Sequence, residues 1–158
     1  MITPAERRDC IARIQQLPAL VEEAVKGLHD DQLNTPYRQG GWTVRQVVHH
    51  LADSHLNAFV RMKLILTEDR PTLKPYDQDA WAKLPDAAMP VASSVSILKG
   101  LHDRWTVVLE HVPESGWTRS AFHPEIGEVT LERMLVTYAG HGEHHVGQIT
   151  GLRAAKGW

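Results

Sequence analysis

The stretch Thr130-Leu131-Glu132-Arg133-Met134-Leu135-Val136-Thr137-Tyr138-Ala139-Gly140-His141-Gly142-Glu143-His144-His145-Val146-Gly147-Gln148-Ile149 decides the fold class. Thr130 can cap a helix whose apolar residues Leu131, Met134, Leu135, Tyr138, Ile149 and, just beyond, Leu152 recur at helical spacing. At about 100° per residue, His141 and His145 stand only about 40° apart around the axis and one turn apart along it. The same wheel puts Met134, Tyr138, Ile149 and Leu152 within about 40° of His145, so the pair lies on the buried stripe of the helix. His144 points about 100° away from His145. Glu143 falls about 160° from His145, toward solvent.

Three further patterns of the same kind precede it. Thr3-Pro4-Ala5-Glu6 is a capping box with Pro at the first helical position, and Ile11, Ile14, Leu17, Leu20, Val21 and Val25 continue a helix predicted from about Pro4 to Leu28. A Pro- and Gly-bearing loop, residues 34–41, leads to a second capping box, Thr43-Val44-Arg45-Gln46, and a helix from about Val44 to Leu66. Val95, Leu98, Leu101, Trp105, Val108, Leu109 and Val112 mark a third, which Pro113 ends. No segment shows the alternation of a strand, so the expectation is an all-α four-helix bundle occupying residues 1–158 as one domain. Its connections between helices 2 and 3 and between helices 3 and 4 are long. Residues 68–90 hold Pro71, Pro75, Pro85 and Pro90, with one short helix predicted at Gln78–Lys83. A connection of that length lets neighbouring helices run parallel and is a candidate lid.

Composition narrows the function classes. Seventeen basic against nineteen acidic residues give a net charge of −2 with no Lys/Arg block, which argues against nucleic acid as a partner. The charged amino-terminus is not a signal peptide and no apolar run is long enough to span a bilayer, so a soluble cytoplasmic protein is expected. A lone Cys10 provides neither a disulfide nor a thiolate metal site, and reads as a core residue of the first helix. Ten histidines are the outlying number.

A histidine on an apolar stripe is ordinarily a hydrogen-bonded core residue. Two of them one turn apart can instead hold one metal ion, which satisfies two buried nitrogens at once. The second helix offers candidates for a third ligand in His49-His50-Leu51-Ala52-Asp53-Ser54-His55. His55 is at the centre of the apolar arc with Val44, Val48, Leu51, Phe59 and Met62. His50 borders that arc on a polar flank with Thr43, Ser54, Asn57 and Arg61. His49 faces away with Arg45 and Asp53. Helical geometry leaves His50 and His55 in competition.

The run Gly40-Gly41-Trp42-Thr43-Val44-Arg45-Gln46-Val47-Val48-His49-His50-Leu51-Ala52-Asp53-Ser54-His55, taken with His141-x-x-His144-His145-x-x-Gln148-Ile149, resembles the YfiT/BstA branch of the DinB-like superfamily. The likeness continues through Leu33–Arg38, Leu66–Pro71, Lys74–Asp77, His102–Trp105 and Phe122–Glu125, nearly the whole chain. It implies a four-helix bundle that binds one divalent metal per subunit through three histidines. The helix 2 ligand directly precedes a Leu in the family pattern, which is His50 here, and the helix 4 ligands are His141 and His145. His55 becomes a packing or supporting residue. Gln148 stands where relatives often carry another histidine, about 60° from His145. A homodimer is implied by the resemblance alone.

Three neutral imidazoles leave a metal with its full charge and an open position, the catalytic rather than the structural pattern. Zinc held so lowers the pKa of bound water to near 7, and nickel suits the same ligands. The protease signatures HExxH and HxxEH fail, because residue 142 is Gly and residue 144 is His. No catalytic acid or base can be assigned; Asp53 and Tyr138 are weak candidates to support the site. The resemblance implies a metal-dependent hydrolase acting on a small molecule. Its alternatives are an S-transferase activating a low-molecular-weight thiol such as bacillithiol, and a metal-holding stress protein without turnover. Trp42, Trp81, Trp105 and Trp117 are expected to anchor helix ends or loops.

Overall fold

The structure, a computed structural model, describes residues 1–158. Four long helices form the body: α1 (Pro4–Val25), α3 (Val44–Thr67), α5 (Ala92–Glu110) and α6 (Leu131–Lys156). Two single-turn helices, α2 (Asp30–Leu33) and α4 (Gln78–Trp81), lie in the connections. The expected caps are in place: Thr3 and Thr43 each close a capping box, and Thr130 accepts from the Arg133 amide. The first helix ends at Val25 rather than Leu28, because Gly27 turns the chain at φ 77° and α2 restarts it.

One element departs from the all-helical expectation. Residues Ser120–His123 (β1) pair antiparallel with Gly127–Thr130 (β2), from Ser120 opposite Thr130 to His123 opposite Gly127. Gly127, at φ 74°, makes the turn back. The hairpin escapes a hydrophobicity pattern because its faces are chemically inverted: Phe122 points out, while Ala121 and His123 are buried.

The core has two parts that fix the helix directions. One joins Cys10, Ile11 and Ile14 of α1 to Phe59, Met62 and Ile65 of α3, Leu101, Trp105 and Leu109 of α5, and Leu131, Met134 and Leu135 of α6. The other joins Leu17, Val21 and Ala24 of α1 to Val44, Val47, Val48 and Leu51 of α3, Val95 and Leu98 of α5, and Ile149 and Leu152 of α6. The early residues of α1 and α6 thus share an end with the late residues of α3 and α5. So α1 runs parallel to α6, and α3 runs parallel to α5. In cross-section α1 and α3 are diagonal, each packing against both α5 and α6. The segment between α3 and α5 must travel the length of the bundle, as its length suggested. It is pinned as it goes: Arg61 and Arg45 donate to the carbonyls of Lys74 and Met89, and Gln46 donates to that of Ala82.

Gly142 of α6 packs directly against Leu17 of α1. A Cβ there would sit 2.5 Å from Leu17 Cδ2 and 2.7 Å from Cδ1, and Leu17 is itself buried. Gly142→Ala is therefore expected to destabilise the protein by about 1–3 kcal/mol despite alanine's better helix propensity, as read from urea unfolding. An unchanged or raised midpoint would show that the helices part freely.

Candidate metal centre

The site lies on the seam between α3 and α6, where the two halves of the core meet. His50, buried on α3, faces His141 and His145 of α6, and the three rings place one nitrogen each within 4.8 Å of one another. The Nε2 atoms of His50 and His141 are 3.3 Å apart. Two imidazole lone pairs at that distance repel unless a proton or a cation lies between them. Nitrogens bound to zinc at about 2.0–2.1 Å and a tetrahedral angle are also about 3.3 Å apart, so the donor set fits such an ion.

The surrounding hydrogen bonds orient these rings. His145 Nδ1 is 2.9 Å from Gln148 Oε1; a carbonyl oxygen only accepts, so Nδ1 carries the proton and Nε2 keeps its lone pair. The Gln148 amide nitrogen donates at 3.0 Å to His144 Nε2. His144 is exposed and outside the three-histidine cluster. Glu143 is turned outward and held by Arg13 at 2.5 and 2.6 Å, which lowers its carboxyl pKa. His49 bridges instead to Ser94 Oγ and the Met89 carbonyl, tying α3 to the start of α5. Asp53, whose carboxyl is raised by burial and by Asp86, sits beside a cleft with His49. Tyr138 packs on His55 and Trp105.

His55 is fully buried one layer behind this cluster. Its Nε2 is 3.2 Å from His141 Nδ1, and its Nδ1 is 3.1 Å from Nε2 of His102 on α5. Helical periodicity gave His55 the deepest position, and there both its nitrogens are engaged by other rings, outside the three-histidine cluster.

A cavity of about 530 Å³ opens in front of the cluster. His144, Tyr37, Arg38 and Trp42 line it, together with Gln78 and Asp79 at α4, so the long connection reaches the site. Trp42 is more than an anchor. Its ring lies 4.6 Å from His50 and stacks on His145 at 12° and 6.5 Å, while its indole nitrogen donates to Asp79 Oδ1 at 3.1 Å. Its position just before the Thr43 cap was the available signal, because the cap places the preceding residue at the mouth of the bundle.

Burial keeps every ring of this group neutral. His50 is pushed down to about 4 by desolvation and then by His145; His141 is pushed down to about 3 by desolvation, then by His145 and His50. Burial also lowers His55, His102 and His145, with Gln148 partly opposing it at His145. The unfolded chain titrates these groups near pH 6.5, so between about 6.5 and 4 it binds protons that the native rings refuse. The metal-free protein should therefore lose stability as pH falls through that window. Urea midpoints measured at about pH 7, 6 and 5 should decline, and His50→Gln should flatten part of the slope; a pH-independent midpoint would contradict it.

The family model described as the DinB superfamily matches residues 13–149. A Geobacillus kaustophilus protein is 49% identical over 156 residues, 97% of this chain and 87% of its own. One from Oceanobacillus iheyensis is 45% identical over 148 residues, 94% of this chain and 86% of its own. Both bear the name "Putative metal-dependent hydrolase". Among solved structures, YfiT from Bacillus subtilis, described as "a probable metal-dependent hydrolase with an unusual four-helix bundle topology", superposes with a TM-score of 0.97 at 42% identity, covering 100% of this chain and 91% of that one. TT2238, described as a four-helix bundle protein, shares the fold at a TM-score of 0.63 and 15% identity, covering 92% of this chain and 98% of its own. With its helix pairing, its histidine cluster and these likenesses together, the chain belongs to the DinB superfamily.

Proposed function

We propose that the protein is a metal-dependent hydrolase acting on a small molecule, with His50, His141 and His145 as the metal ligands. The observation that carries the reading is the convergence of three imidazole nitrogens, from buried His50 and His145 and half-buried His141, within 4.8 Å of one another on the lining of a cavity of about 530 Å³, a volume suited to a small ligand. The names borne by the close relatives agree with it. Zinc is the metal proposed, nickel being compatible with the same donors. A divalent cation so held supplies Lewis acidity and makes a water acidic near neutral pH. The chain's own part is to orient the three rings, to shield them with Trp42, and to present Arg38 at the mouth as a positive charge for an anionic or polar substrate. A soluble cytoplasmic homodimer is the setting proposed; no helix is long and apolar enough to cross a membrane.

Transfer of a low-molecular-weight thiol is the second reading. Two carboxylates near the cluster are already committed, Glu143 to Arg13 and Asp79 to the Trp42 indole. A thiol ionises more readily than water and makes less demand on such a base. Spectra of the cobalt-substituted protein separate the two: a shift on adding small thiols favours transfer, whereas ester or phosphodiester hydrolysis lost in His50→Ala favours hydrolysis. Silence in both assays would sink both.

The ligand set is testable before any substrate is known. Replacing His50, His141 or His145 by Ala should abolish stoichiometric zinc retention after dialysis, while His144→Ala retains it. Equal loss in all four variants would refute the assignment.

A further inference from the structure

A chain of hydrogen bonds behind the metal centre crosses all four long helices, and its direction is set from the far end. Ile14 belongs to α1, and the residue one turn later is Pro18, inside the helix. Proline has no N–H, so the Ile14 carbonyl loses the helical bond it would have received from residue 18. His102 Nδ1 takes that place at 2.5 Å, in a buried position.

A carbonyl can only accept, so His102 Nδ1 must donate and, in the neutral ring, Nε2 must accept. His55 Nδ1, 3.1 Å away, is then the donor, which leaves His55 Nε2 as an acceptor. His141 Nδ1, 3.2 Å from it, must therefore carry the proton, and the lone pair of His141 is placed on Nε2. That nitrogen is the one facing His50 Nε2. The reverse polarity would put two proton-bearing nitrogens, or a proton-free nitrogen and a carbonyl, face to face somewhere along the row.

We propose that the Pro18-exposed carbonyl of Ile14, through His102 and His55, fixes the tautomer and orientation of His141, making His102 and His55 positioning residues for the metal centre. The inference rests on the metal reading above for its purpose but not for its geometry. A ligand ring held by a second hydrogen-bond acceptor typically gains metal affinity of about 10–100-fold. Here that acceptor is a histidine whose own tautomer is set by another, and finally by a backbone position that proline leaves open.

The tautomers can be read directly on the metal-free wild-type protein by long-range proton–nitrogen-15 correlation of the histidine rings. Protonation at Nδ1 in His102, His55 and His141 is the expected result; protonation at Nε2 in any of them would overturn the row. Zinc affinity, measured by competition with a chromophoric chelator, should fall about 10–100-fold in His102→Phe. Pro18→Ala restores the N–H that competes for the Ile14 carbonyl, so it should loosen the tautomer preference of His102 and weaken zinc binding while helix α1 becomes no less stable. A purely structural role for the row predicts the opposite pairing, stability changed and zinc affinity untouched, and that outcome defeats the proposal. If the wild-type chain bound no zinc, the metal reading would fail alone, since the ring spectra decide the hydrogen-bond row without metal.

Discussion

A neutral imidazole taken out of water must find an acceptor for its one proton and a donor or cation for its one lone pair. This protein buries four of them, His50, His55, His102 and His145, and half-buries a fifth, His141, in a layer between the two apolar halves of its bundle. Leaving any nitrogen unpaired there would cost about as much as a lost buried hydrogen bond, roughly 1–3 kcal/mol, so the layer dictates what surrounds it. It fixes which face of each helix turns inward and requires a free carbonyl at Ile14. It also calls for an amide at Gln148, whose oxygen takes the outer proton of His145. What cannot be satisfied from within is the convergence of lone pairs at the seam of α3 and α6, and that is the place a cation fits.

The electrostatics of the centre follow from who is absent from contact with the rings and where they went instead. Arg13 draws Glu143 to the outer face and the Trp42 indole holds Asp79 at the mouth. A metal bound by neutral nitrogens keeps its full charge and inverts the usual local logic of ionisation, favouring anions in the cavity. The cavity lining is largely polar and includes Arg38, in keeping with that sign.

Much of this was legible in the sequence because helical periodicity is a strong signal over twenty or more residues. It placed α1, α3, α5 and α6 and the threonine caps of α1, α3 and α6, and it separated His141 and His145 from His144. It failed where the information is not periodic. The wheel left His50 and His55 open because it cannot see other helices, from which His102 and His141 engage both nitrogens of His55; the family likeness, not the wheel, favoured His50. His102 itself stands one turn from Leu98 among the core residues of α5 and could have been flagged on that ground. Pro18 was visible inside the first helical pattern, but a missing N–H acquires meaning only once its orphaned carbonyl has a neighbour. The β1–β2 hairpin was invisible because Phe122 faces solvent and His123 faces in.

The parallel pairing of α3 with α5 has a consequence for assembly. His50 and His141 are 91 positions apart, and His102 and Ile14 are 88 apart. Bringing such distant segments together pays loop-closure entropy before any contact rewards it, and topologies of that kind fold more slowly than up-and-down bundles of the same size. A nascent chain has no three-histidine cluster until α6 has been synthesised and docked, so its histidines stay separate throughout translation. Capture of a cation by all three rings at once is open only to a molecule that has already completed its fold.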